Sequence, residues 1–272
     1  MGDMTTNSSP VRQPALFLGH GSPMNAIEDN RHSRAWAALG RDLAENRPTG
    51  VVAVSAHWFG PMTAVTAMPD PRTIHDFYGF PQELFDVEYP APGSPDLAER
   101  VGDALAPDWV GRDRDSWGLD HGTWSVLKHL IPDADVPVVQ LSVNAAKPVE
   151  YHLELGRRLA ALRDEGVLVL GSGNVVHNLR AVDWSRPEGG FDWADRFDAA
   201  ARAIMTSDPS AIGELQGHRD YRLAVPTADH FLPLAYVAGA AGDSLADGSG
   251  SVTVVDDGRA MGSLSMTGYL YS

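Results

Sequence analysis

No cysteine occurs among the 272 residues, which excludes disulfides, thiolate metal sites, iron–sulfur clusters and a cysteine nucleophile together. Any metal must rest on His, Asp or Glu. Positive charge is scarce: 21 Lys plus Arg stand against 36 Asp plus Glu, a formal charge of -15 with a pI near 4.9. Such a surface repels phosphate backbones and anionic headgroups, so neither nucleic acid nor membrane is an expected partner. Long apolar runs are absent too. Runs such as 51–54 and 167–170 fall far short of the ~18 to 20 residues that a membrane span needs. The polar start of the chain lacks the charged and apolar stretches of a secretion signal. A disordered tail over residues 1–13, then one domain over 14–272, in a cytoplasmic protein, is the expectation.

What is present is an ordinary globular composition, 43% hydrophobic and 21% charged, long enough to bury about 70 to 75% of its extended surface. Four short apolar runs rich in β-branched residues, at 15–18, 51–55, 136–142 and 167–171, read as buried strands. Helical stretches at 33–45, 95–105, 122–130 and 148–163 alternate with them. This alternation predicts an α/β fold with a largely parallel central sheet and helices on both faces. Segments 62–67, 252–255 and 263–269 are expected as antiparallel edge strands, and 193–206 and 231–240 as further helices. The composition-biased stretch 239–250 reads as a mobile surface loop. The segment 69–95 carries Pro69, Pro71, Pro81, Pro90 and Pro92, which argues against helix or central strand. It also carries five aromatic residues, unusual for an idle loop.

Ten histidines are present, and several stand at strand exits. In an open α/β sheet the ligand crevice lies beyond the carboxyl ends of the strands, where loops converge. His20 follows the first strand directly, inside Gly19-His20-Gly21-Ser22-Pro23. His57 follows the second, beside Trp58, and His177 lies just past the strand that ends in Gly171-Ser172-Gly173. His230 precedes a predicted helix with Asp229 placed to cap it, and His121 follows Asp120 at another helix start. A metal site built from among His20, His57, His177 and His230 is the expectation. His32, His75, His129, His152 and His218 read as solvated surface, with His75 able to line a pocket beside the aromatic loop.

Imidazole ligands suit Zn, Fe(II), Cu or Ni rather than Mg or Ca. A site of histidines alone would leave such an ion close to its full charge, favouring an anionic chelating substrate or an activated water. No His-Glu-x-x-His helix, Gly-x-Ser-x-Gly elbow, phosphate-binding lysine loop or complete Gly-x-Gly-x-x-Gly turn is found.

Six stretches occur in a telling order. They are Gly19-His20-Gly21-Ser22-Pro23-Met24, Ser55-Ala56-His57-Trp58 and His75-Asp76-Phe77-Tyr78-Gly79-Phe80-Pro81. Then come Asp120-His121-Gly122-Thr123-Trp124, Gly171-Ser172-Gly173-Asn174 with His177-Asn178-Leu179, and Asp229-His230-Phe231. From about residue 14 onward the chain resembles the class III extradiol ring-opening dioxygenases, and within them the 4,5-DOPA dioxygenase branch. The resemblance implies a single α/β domain with one non-haem Fe(II), often found replaced by zinc in isolated proteins. It implies a small catechol and O₂ as partners, no further cofactor, and a monomer or homodimer.

By the same resemblance, His20 and His57 correspond to the two metal histidines of the superfamily. His230 stands where other members carry a metal-binding glutamate. His177 corresponds to an acid/base histidine, itself counted as a metal ligand in the DOPA branch, and His121 to a histidine that contacts substrate or oxygen. Ligation, proton transfer and alternation between them all remain open for His177. A catechol that binds through both oxygens must lose a proton, a task suited to His177 or His121. Phe77, Tyr78, Phe80 and Trp58 are candidates to sandwich its ring. Two other functions fit the same histidines: a zinc hydrolase, and a non-enzymatic binding protein of the same fold.

Overall fold

Eight strands in the order β4-β3-β5-β2-β6-β1-β10-β7 form the central sheet of a computed structural model that describes residues 10–242, 245 and 248–272. Its middle is parallel: β1 (Ala15–Gly19), β2 (Gly50–Gly60), β5 (Val138–Asn144) and β6 (Val167–Gly173) pair in one direction. All but the end of β2 is buried on both faces, which is why these strands read as unbroken apolar runs rather than alternating ones. The strands that flank the middle on each side run the other way. On one side β3 (Ala64–Thr66) is antiparallel to β5 and carries β4 (Gly111–Asp113). On the other, β10 (Tyr269–Tyr271) is antiparallel to β1 and carries β7 (Val252–Val254).

Two apolar layers close the sheet. Leu16, Leu18, Val51, Ala53, Leu168 and Leu170 pack against Trp36 and Leu43 of α1 (Arg31–Glu45) and Trp124 and Leu127 of α4 (His121–Leu130). The alternate residues Phe17, Val52, Val54 and Val169 face α3 (Pro95–Ala104), α5 (Val149–Asp164), α6 (Asp192–Ser207) and α8 (Leu232–Ala241). All ten residues of α8 are buried between the sheet and α5. Two single-turn helices, α2 (Gln82–Phe85) and α7 (Tyr221–Ala224), sit in the connecting loops. The result is the single α/β domain with antiparallel edges that the alternation of runs predicts.

Local departures have local causes. The strand expected from residue 136 begins at Val138, because Pro137 has no N–H to give a ladder. The segment 263–269 splits. Leu264–Ser265 (β9) pairs with Arg259–Ala260 (β8) in a separate ladder, and only Tyr269–Tyr271 joins the sheet. Asp198 accepts from the Ser265 and Thr267 hydroxyls, the latter at 2.9 Å, and so ties this stretch to α6. In 69–95 one turn of helix does form, starting after Pro81, where a ring at the helix entrance costs nothing. Residues 239–241 end α8 rather than opening a loop. Positions 243, 244, 246 and 247 of the expected loop, and 1–9 of the expected tail, lie outside the described residues. Gln13, inside that tail reading, is buried, and its N–H donates to the Arg163 carbonyl at 2.9 Å. No helix among the described residues is long and apolar enough to cross a membrane.

Candidate active site

His20, one residue beyond β1, is buried, and Gly173 at the end of β6 lies alongside. A Cβ on Gly173 would stand 2.2 Å from the His230 carbonyl, so the strand and the lead-in to α8 meet only because that side chain is missing. His57 lies in a stretch where the β2–β5 register shifts between Val54 and Phe59. Such an irregularity re-aims side chains out of the pleat. Gly122, the second residue of α4, opens the space beside it: a Cβ there would come within 2.4 Å of the Ser55 hydroxyl and 2.9 Å of the His57 ring. Asp120 caps α4 by accepting from the Thr123 N–H at 3.2 Å, which places His121 at the first turn. Asp229, expected to cap α8, instead takes the His230 ring at 2.7 Å, and α8 has no side-chain cap.

The hydrogen bonds dictate where each proton sits. His20 Nδ1 is 2.9 Å from the Ser172 hydroxyl, whose own proton goes to the Gly122 carbonyl at 2.5 Å. The hydroxyl can therefore only accept from Nδ1–H. His57 Nδ1 is 3.0 Å from Asp76 Oδ2, and His230 Nδ1 faces Asp229 Oδ2. Despite burial, hydrogen bonds from the histidines hold both carboxyls far below the usual range, so both accept. Each of the three rings thus carries its proton on Nδ1 and a bare lone pair on Nε2. With both rings in this neutral form, His57 Nε2 and His20 Nε2 face each other 3.2 Å apart with no proton between them. Ligand atoms of His20, His57 and His230 all fall within 4.8 Å of one another.

Two lone pairs facing each other in a buried site repel, and a shared cation, whether a proton or a metal ion, removes the repulsion. The donor set of neutral imidazoles fits a transition metal, with each ring oriented from behind by a carboxylate or hydroxyl. The site is therefore not a bare histidine cage. Asp76 and Asp229 stand one hydrogen bond behind His57 and His230 and would offset part of a bound ion's charge, so the full charge expected of a histidine-only site would be moderated.

Burial, then the neighbouring His57, His230, His121 and His177, holds His20 well below its ordinary pKa. Burial takes His230 down to about 4 against the pull of Asp229. His57 differs. Burial lowers it, but the Asp76 hydrogen bond and the charges of Asp120, Asp76 and Asp229 leave it raised. The field that favours a proton there favours a metal cation equally.

His177 and His121 are placed otherwise. His177 lies flat on His230, ring centroids 3.4 Å apart and planes within 5°. It is outside the group of three ligand atoms. Burial, then His230, brings it to about 2, so it is neutral at pH 7. His121 rests 3.9 Å from the His57 ring, with Nδ1 and its backbone N–H both 2.9 Å from Asp76 Oδ1. Phe77 packs edge-on against His121 at 5.5 Å. Of the other expected ring-sandwiching residues, Phe80 packs on Phe77, Tyr78 is 91% exposed, and Trp58 stacks on Trp117 at 5.5 Å.

None of the five histidines expected on the solvated surface is exposed. His152 is fully buried in α5, its Nδ1 on the Pro148 carbonyl at 2.9 Å, because α5 is enclosed by sheet and α8 alike. His129 donates to the Asn25 carbonyl at 2.8 Å, and His32 pairs with buried Asp256. His75 donates to the Val87 carbonyl at 2.9 Å, and His218 stands edge-on to Phe197. Conversely, Asp76 and Ser172 were not singled out. The one signal for Asp76 is its position between His75 and Phe77 in an aromatic loop, and for Ser172 its place between two strand-end glycines.

Residues 14–262 match the protein family described as the catalytic LigB subunit of aromatic ring-opening dioxygenase. The chain belongs to the class III extradiol dioxygenase family. It is 51% identical over 262 residues to a 4,5-DOPA dioxygenase extradiol of Escherichia coli (strain K12), covering 95% of this chain and 94% of that one. A Beta vulgaris protein of the same name is 37% identical over 237 residues, 84% of this chain and 87% of its own. The crystal structure of an uncharacterized protein from Escherichia coli K12 superposes with a TM-score of 0.82 at 46% identity, covering 95% of this chain and 99% of that one. The extradiol dioxygenases depend on a non-haem metal, and the three converging imidazoles form a site compatible with one.

Proposed function

We propose that this protein opens the ring of a small catechol such as DOPA with O₂, using non-haem Fe(II) held by Nε2 of His20, His57 and His230. Zinc would occupy the same nitrogens in protein isolated without added iron. The observation that carries this reading is the pair of Nε2 atoms facing each other 3.2 Å apart, with His230 closing the group. The name of the Escherichia coli relative supports DOPA as the substrate. Iron bound there supplies Lewis acidity to the catechol oxygens and one-electron chemistry to O₂.

The surrounding residues supply the rest. His177 is neutral at pH 7 and offers a free lone pair for a catechol proton, but its pKa of about 2 makes it an effective base only once a bound catecholate beside it raises that value toward the working pH. His121, fixed through Nδ1 by Asp76, presents Nε2 as an acceptor for a second hydroxyl. Phe77, edge-on to His121, gives the aromatic ring an apolar wall. Held together, these groups convert a three-body encounter into a reaction within one site. The protein works in the cytoplasm as a monomer or homodimer.

The test is anaerobic reconstitution with Fe(II), addition of DOPA, and admission of O₂ while oxygen uptake and the visible spectrum are followed. Equimolar uptake with a yellow product is expected. No uptake with DOPA or a panel of simple catechols, despite bound iron, would overturn the reading.

A further inference from the structure

Asp76 divides its two oxygens between two histidines. Oδ2 faces His57 Nδ1 at 3.0 Å, while Oδ1 faces both the ring Nδ1 and the backbone N–H of His121 at 2.9 Å each. A partly buried carboxylate is tolerated where donors surround it, and here there are three. The segment that carries it is tied down from behind. Ile74 N–H donates to the Leu119 carbonyl at 2.7 Å, Trp124 Nε1–H to the Ile74 carbonyl at 2.8 Å, and His75 to Val87. The carboxylate is therefore a fixed point to which the rings conform.

We propose that Asp76 is the positioning residue that holds His57 and His121 together in the Nδ1–H form. One side chain thereby sets both the metal-facing lone pair of His57 and the substrate-facing lone pair of His121. The inference rests on the reading of His57 as a metal ligand, and it makes ligand and substrate contact interdependent.

Asparagine separates this role from a plain structural one. It is nearly the same shape and keeps one oxygen for His121 and the start of α4. Its amide NH₂, however, would face the His57 Nδ1–H, donor against donor. His57 escapes by moving its proton to Nε2, the atom that must be bare. Asp76→Asn is thus expected to weaken Zn²⁺ binding by about 10- to 100-fold while the melting temperature of the metal-free protein stays close to that of the wild type. Asp76→Glu, which keeps both acceptor oxygens, is expected to recover part of the affinity. A residue that only tied the loop to α4 would give the reverse: a lower melting temperature and intact affinity.

The experiment is competition for Zn²⁺ against a chromogenic chelator with wild type, Asp76→Asn and Asp76→Glu, beside long-range ¹H–¹⁵N spectra of the metal-free wild type labelled at histidine. Weakened binding in folded Asp76→Asn, with Nδ1–H signatures for His57 and His121, supports the proposal. Unchanged affinity in folded Asp76→Asn overturns it. So does a neutral Nε2–H tautomer, with Nδ1 unprotonated, for either ring, a measurement that does not depend on any variant folding. Failure of the wild type to bind Zn²⁺ would instead overturn the metal centre itself. Absence of ring cleavage with the affinity difference intact would overturn only the proposed reaction.

Discussion

Buried polar groups concentrate at both ends of β1 and β6, and the two ends treat them differently. At the amino ends, Arg163 is fully buried and donates to three backbone carbonyls: Gln13 and Ala240 at 2.7 Å and Tyr271 at 3.0 Å. Burial lowers it to about 10, which still leaves it charged at pH 7. Its donors join the entry to β1, the end of α8 and the last strand. At the carboxyl ends, His20, His57 and His230 are satisfied on Nδ1 and bare on Nε2. Burial of a polar group has a cost that a fold recovers by hydrogen bonding. Where the recovery is complete the cluster is architecture; where half the capacity is left unused, and aimed at one point, the cluster is a site.

Substitutions can break that contrast. His57→Ala is expected to abolish ring cleavage, beyond the roughly 10- to 100-fold loss typical of removing an orienting partner. The urea midpoint of the metal-free protein should barely move, and full activity in this variant would sink the ligand assignment. Arg163→Met is the mirror image. It leaves three buried carbonyls without the Arg163 donor at about 1 to 3 kcal/mol each, so a loss of roughly 3 to 9 kcal/mol in unfolding free energy is expected. Urea melts showing less than about 1 kcal/mol would remove Arg163 from the architecture.

Acid sharpens the comparison. His152 and His230 have folded pKa values of about 4, whereas free histidine titrates near 6.5. Between these limits the unfolded chain binds more protons than the folded one, so stability rises with pH. The contribution is complete above about pH 6.5 and is lost progressively as pH falls toward 4, on the order of 3 kcal/mol for His152 alone. Urea titrations of the metal-free protein at pH 7, 5.5 and 4.5 check this, and a flat profile would contradict it.

Metal provides a gentler probe. Zn²⁺ at about 100 times its Kd is expected to add about 2.7 kcal/mol to the unfolding free energy. Arg163→Met should keep that increment and His57→Ala should lose it. The smallest effect belongs to the aromatic wall: Phe77→Ala, removing a contact of about 0.5 to 1.5 kcal/mol, should raise KM for a catechol by roughly 2- to 10-fold with kcat largely preserved.

Much of the fold was legible because β1, β2, β5 and β6 are buried on both sides and so appear as continuous apolar runs. The three-residue edge strand β4 was not, since Gly111-Arg112-Asp113 has no apolar pattern and is recruited by pairing with β3 alone. His152 shows how a helix misleads. Its neighbours in sequence suggest a solvent-facing residue, yet α5 packs closely along α8, which itself lies on the sheet, with Gly156 letting the Tyr236 backbone within 2.1 Å of where a Cβ would be. At the site, histidines at strand exits were visible from position along the chain. Asp76 was not, because a loop carboxylate shows its purpose only once its partners are in place.

From sequence alone came the kinds of donor available, imidazole and carboxylate without thiolate, and the alternation of runs that sends strand ends to a common edge. Which nitrogen of each ring is bare was decided by the tertiary structure. A ring's tautomer depends on what stands behind its Nδ1, and although Asp229 adjoins His230, the other partners are distant in the chain: Ser172 lies 152 positions from His20, and Asp76 lies 45 from His121. Covalent order specifies which side chains exist. Only packing brings the acceptor to one side of an imidazole and leaves the other side free for a metal.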